Sequence, residues 1–112
     1  MPQVEIRYSD DLDIQVESLF SQIAAAINEM DSSAGICKSR AYPATQFLHT
    51  HMFLSMMILK KPHRDNGFIQ TLRARLDKIV SSFLPAGCYY SIELIFSGEH
   101  YMISQVPESG EN

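Results

Sequence analysis

The chain has 112 residues, a net charge of -4, 46% hydrophobic residues and 20% charged ones. That is the balance of one globular domain able to form a core, which argues against bulk disorder. An acidic chain without a basic cluster argues against a nucleic-acid partner. No apolar run is long enough to span a membrane and no signal-peptide pattern opens the chain, so a cytoplasmic protein without a membrane partner is expected. Cys37 and Cys88 are then expected as reduced thiols.

The first residues read MPQVEIRYSDD. Val4, Ile6 and Tyr8 alternate with Gln3, Glu5 and Arg7, the pattern of a half-buried strand. Pro2 directly precedes it. Proline is tolerated as the first residue of a strand, but after loss of Met1 it would also carry a free secondary amine. Ser9 or Asp10 is suited to cap a helix, and Asp11 and Asp13 suit its positive end. Val16, Leu19, Phe20, Ile23, Ile27 and Met30 recur at spacings of three and four, one face of a helix over 13–30. DSSAG stops it, and ICKSRAY is a second strand ended by Pro43.

The order then repeats. HTHMFLSMMILK (49–60) is a strand with Met52, Leu54, Met56 and Ile58 on one face and Phe53, Met57 and Leu59 on the other. KPHRDNG is a turn, with Asp65 or Asn66 as caps. Phe68, Ile69, Leu72, Leu76, Ile79, Val80 and Phe83 mark a second amphipathic helix, and CYYSIELIF (88–96) is a fourth strand. The expected fold is therefore α/β in two layers. It is a duplicated βαβ that forms one four-stranded sheet with both helices on one face. One domain would span residues 1–106, in halves of about 2–43 and 49–96, followed by a polar tail over 107–112. The helices cover one side of a sheet that carries apolar residues on both. Another copy of the chain is expected over the open side.

A proline after Met1, a first strand ending Tyr8-Ser9 before an acidic turn, AGICKSRA (34–41), His51-Met52 and Arg64 before the second helix together resemble the tautomerase superfamily. More closely they resemble the 5-carboxymethyl-2-hydroxymuconate isomerase family. The likeness covers roughly residues 2–96. It departs at Arg7, where the family usually has glutamate, and at Lys38, where it has arginine. No glycine precedes Arg64, and the family's C-terminal extension is largely absent. The resemblance implies a tautomerase-like fold, a homotrimer, no metal and no organic cofactor. It implies Pro2 as acid–base catalyst, with Arg40, Arg64 and Lys38 binding a small-molecule carboxylate. The reaction would be an isomerisation, moving a proton in an unsaturated 2-hydroxy or 2-keto mono- or dicarboxylic acid.

An α-amino group titrates near 8, and neighbouring cations and burial lower that value, so Pro2 could act as a neutral base without a histidine. Cations also stabilise the dienolate oxygen, but a lysine at 38 lacks the planar fork of arginine. Each candidate has a structural counterpart: a plain strand start for Pro2, a strand-edge ion pair for Arg40, a surface turn for Arg64. His49 and His51 share a strand face, with no third metal ligand placed. Arg7 belongs either to the site or to a subunit interface, and one residue of register decides whether Lys38 or Arg40 faces the site. Two rivals remain: a dehalogenase- or decarboxylase-like use of the same amine, and a non-catalytic oligomeric binding domain.

Overall fold

Apolar positions recurring every two or every three to four residues generate six main elements in a computed structural model that describes residues 1–108. They are β1 (Gln3–Ser9), α1 (Val16–Met30), β2 (Lys38–Ala44), β3 (His51–Ile58), α2 (Asn66–Ser82) and β4 (Tyr89–Phe96), with a 3-10 turn over Ser32–Ala34. The tail expected over 107–112 lies outside the described residues from 109 onward.

The sheet order is β2-β1-β3-β4. Within each half the strands are parallel (β1 with β2, β3 with β4), and the halves meet where β1 and β3 pair antiparallel. The register Gln3↔Met57 brings the residues after β3 to the same end of the sheet as the head of the chain. Val4, Ile6, Met52, Leu54, Met56 and Ile58 pack against Leu19, Ile23 and Ile27 of α1 and Leu72, Leu76 and Val80 of α2. Both helices therefore cover one face, as the duplication requires.

Several boundaries differ from the sequence reading. α1 begins at Val16, and its first residue is preceded by Gln15, which makes no side-chain cap. Ser9 and Asp10 are engaged elsewhere. Ser9 is buried; its Oγ accepts the His51 N–H at 2.9 Å and donates to the His51 carbonyl at 3.1 Å. The Asp10 N–H donates to the Ala44 carbonyl at 2.9 Å. These bonds hold the chain along the sheet end and delay the helix. α2 starts as expected, with the Asp65 carboxylate accepting the Phe68 N–H at 2.9 Å. β2 runs through Pro43 because it is an edge strand, where a missing N–H is tolerated. β3 begins at His51, two residues late, because His49 turns the chain at φ 67°.

The open face is more polar than expected. Phe53, Met57, Tyr89 and Ile95 lie on it, but by register they alternate with Gln3, Glu5, Arg7, Lys38, Arg40, Ser55 and Glu93. Glu5 accepts from Arg7 at 3.2 Å and from Arg40 at 3.3 Å.

Candidate active site

Pro2 is buried at the head of β1, one of the two central strands. Its carbonyl accepts the Lys38 N–H at 3.0 Å, which ties the starts of β1 and β2 together. Gly35, at φ 77°, turns the chain into β2 and lies against Met1: a Cβ built there would stand 3.5 Å from Met1 Cγ. The amine at the head of the chain, here on Met1, is held below the usual α-amino value. Burial is the largest cause, followed by the charges of Lys61, Arg64 and Lys38.

Of the residues expected from sequence, Pro2, Lys38 and Arg64 thus come to one end of the sheet. Arg40 does not join them as closely. It stands two residues further along β2, about 7 Å by strand rise, on the open face and paired with Glu5. There it lines a hollow of about 400 Å³ with Glu5, Arg7, Ser55, Glu93 and Tyr101, among others. Tyr101, whose hydroxyl accepts from the Gln3 side chain at 3.4 Å, brings the segment after β4 over this face.

Arg64 is present at the site as charge but not as an open hand. Its side chain is 2% exposed, and its Nε and Nη2 donate to Asp31 Oδ2 at 2.8 and 2.7 Å. Its Nη1 donates to the Leu59 carbonyl at 2.7 Å. Asp31 also takes a bond from His63 at 2.8 Å and accepts the Ser33 N–H at 2.9 Å. Burial pushes the Asp31 carboxyl up, but the bonds from Ser33, His63 and Arg64 outweigh it and hold the group well below the usual carboxylate range.

Sequence reading missed Lys61 and Asp31. Lys61 lies three residues past the end of β3, and the antiparallel pairing of β1 with β3 carries it toward the chain's head. In the sequence Asp31 stands out only as part of the helix stop DSSAG. Burial pushes the Cys37 thiol up, against a hydrogen bond to Ser39, so it is not activated as a nucleophile. At the far end of the sheet the His51 ring bonds the His49 carbonyl at 2.7 Å, and among the described residues no three His, Cys, Asp or Glu side chains converge as a metal would need.

An amine whose pKa is lowered by burial and nearby cations gives up its proton more readily, and such a group can take up and return a proton beside a bound anion. No protein-family model and no curated protein matches the chain. Solved structures do. A 5-carboxymethyl-2-hydroxymuconate isomerase from Deinococcus radiodurans R1 superposes with a TM-score of 0.71 at 15% identity, over 93% of this chain and 88% of that one. Pt0534 inactivated by 2-oxo-3-pentynoate gives 0.64 at 15% identity, over 91% and 92%. A fused 4-OT, solved as a symmetric trimer, gives 0.61 at 9% identity, over 91% and 93%. The fold is a tautomerase-like α+β fold.

Proposed function

We propose that this chain is a tautomerase or isomerase, a single domain over residues 1–106. It would move a proton within an unsaturated 2-hydroxy or 2-keto carboxylic acid. The Pro2 amine, freed by removal of Met1, is the acid–base group. The observation that carries this is Pro2 buried at the head of a central strand, at the end of the sheet where burial and then the charges of Lys61, Arg64 and Lys38 lower the pKa of the terminal amine, here on Met1. The similarity in fold to an isomerase and to the alkynoate-inactivated protein supports it.

The chemistry follows from charge. The neutral amine removes a proton from the enol oxygen or the adjacent carbon, leaving a dienolate whose negative charge spreads onto the oxygen. The cations stabilise that charge, and the resulting ammonium returns the proton to another carbon. No electrons are gained or lost, so the reaction requires no redox cofactor. The protein would work in the cytoplasm as a homotrimer packed through the open sheet face, as the fused 4-OT is trimeric. The departures at Arg7 and Lys38 favour a second reading, a different reaction of the same amine such as dehalogenation or decarboxylation.

The test begins with intact mass to establish that Met1 is gone. Turnover of a panel of 2-hydroxy-2,4-dienoates is then followed by absorbance for wild type and Pro2→Ala, with halogenated and decarboxylatable 2-oxo acids in the same panel. A loss of roughly 10²-fold or more in the variant is expected. Retained Met1, equal rates, or no turnover by the processed protein would overturn the proposal. In a parallel assay with 2-oxo-3-pentynoate, the compound that inactivated Pt0534, the terminal amine should add across the triple bond. A C–N bond forms, one π bond is lost and the amine proton passes to carbon, so labelling is read directly as added mass.

A further inference from the structure

We infer that Lys61, and not Arg64, is the residue that takes the substrate carboxylate at the Pro2 site, contacting it end-on through an ammonium held in place by Ser33. The inference rests on the proposed use of the Pro2 amine.

Two cations reach this corner from the same turn, and the structure treats them oppositely. The Arg64 N–H donates to the Lys61 carbonyl at 2.9 Å, which closes the turn. Within it, the Arg64 guanidinium points inward onto Asp31 and the Leu59 carbonyl. Its charge is matched by a carboxylate, and its donors on three nitrogens are engaged. Releasing it to a ligand would leave Asp31 buried without its cation. The Lys61 ammonium is held differently. It donates to the Ser33 carbonyl at 3.2 Å and to Ser33 Oγ at 3.0 Å, both neutral oxygens. An ammonium has three donors, so one remains, and among the described residues no carboxylate pairs with its charge.

Its position is set by a relay that begins at the buried pair. Asp31 fixes Ser33 through the Ser33 N–H at 2.9 Å, and Ser33 fixes Lys61. Ser33 lies two residues before Gly35, the glycine that stands against Met1. The Lys61 ammonium is thus tied to the turn that stands against the head of the chain, and after burial its charge is the foremost one acting on the terminal amine, here on Met1. Arg64 therefore builds the site and Lys61 occupies it. A lysine contact recognises charge without demanding the planar, two-point match of a guanidinium.

The experiment uses the processed full chain and two probes, 2-oxo-3-pentynoate and its methyl ester, with labelling rates read by mass. In Lys61→Met the preference for the acid over the ester should fall roughly tenfold or more, as expected for loss of a hydrogen bond to a charged group. Lys61→Arg should restore most of it. Removing the charge also raises the amine's pKa, so the pH at which labelling of either probe begins should move upward in Lys61→Met. An acid-to-ester ratio equal to wild type in Lys61→Met would overturn the inference. Failure of the wild type to label with either probe would instead overturn the use of the Pro2 amine. Lys61 is half-buried, its ammonium bonds to Ser33 alone among the described residues, and a matched thermal midpoint establishes that its variants fold.

Discussion

Arg64 and Asp31 meet with two guanidinium nitrogens on one carboxylate oxygen, at 2.8 and 2.7 Å, with the two side chains 2% and 4% exposed. Asp31 ends α1 in the first half of the chain, and Arg64 precedes α2 in the second. The pair therefore locks the two βαβ units together beside the candidate site. Removing one partner of such a pair strands the other as a buried charge. Asp31→Ala should destabilise the protein by about 3–5 kcal/mol, measured by urea or guanidinium unfolding. A loss below about 1 kcal/mol would show that the pair does not hold the halves together.

The depressed Asp31 carboxyl also predicts acid sensitivity. A group titrating lower in the folded state than in the unfolded one contributes stability above the unfolded value, near pH 3.9, and loses that contribution as pH falls toward the folded value. Wild-type stability should therefore decline below about pH 4 more steeply than that of Asp31→Asn. Unfolding free energies taken between pH 2 and 7 for both proteins compare the slopes.

At the head of the chain the pKa is lowered as well, but for an amine this disfavours the charged form. Burial and the charges of Lys61, Arg64 and Lys38 favour the neutral amine, so the base is available at lower pH than an ordinary α-amino group. Lys38→Met removes one of those charges. Its acidic limb in kcat/KM, which reports the free enzyme, should move to higher pH than in wild type. An unmoved limb would place the Lys38 charge outside the reacting site.

The two helices begin differently, and this too can be measured. Asp65 caps α2 through the Phe68 N–H, whereas Gln15 makes no cap on α1. Asp65→Ala should cost about 1 kcal/mol in unfolding free energy. Gln15→Asp should stabilise by up to about 1 kcal/mol, since it adds both a cap and a negative charge at the helix start.

Much of the architecture could be read directly along the chain. The alternation of Val4 and Ile6, the three-and-four spacing of Leu19, Ile23 and Ile27, and the repetition of both patterns after residue 49 led to the duplicated unit and its single helix-covered face. Pro2 could be picked out because it stands at a strand start, and Lys38 because it stands where the resembled family has arginine. What misled was local chemistry with a distant competitor. Ser9 has the side chain of a helix cap, but its hydroxyl binds the His51 backbone across the sheet. The apolar residues of the third and fourth strands suggest an apolar open face, but the register sets Glu5, Arg7, Arg40, Ser55 and Glu93 among them.

By itself the amino-acid order determined the elements, their faces and the placing of a proline at the head of a central strand. These depend on periodicities of two and 3.6 residues, which each short segment carries alone. Only the tertiary structure decided which cation is neutralised and which remains open. Asp31 lies 33 residues from Arg64, and Ser33 lies 28 from Lys61. The antiparallel pairing of β1 with β3 brings these groups to one corner, where burial makes pairing obligatory for one charge and unnecessary for the other.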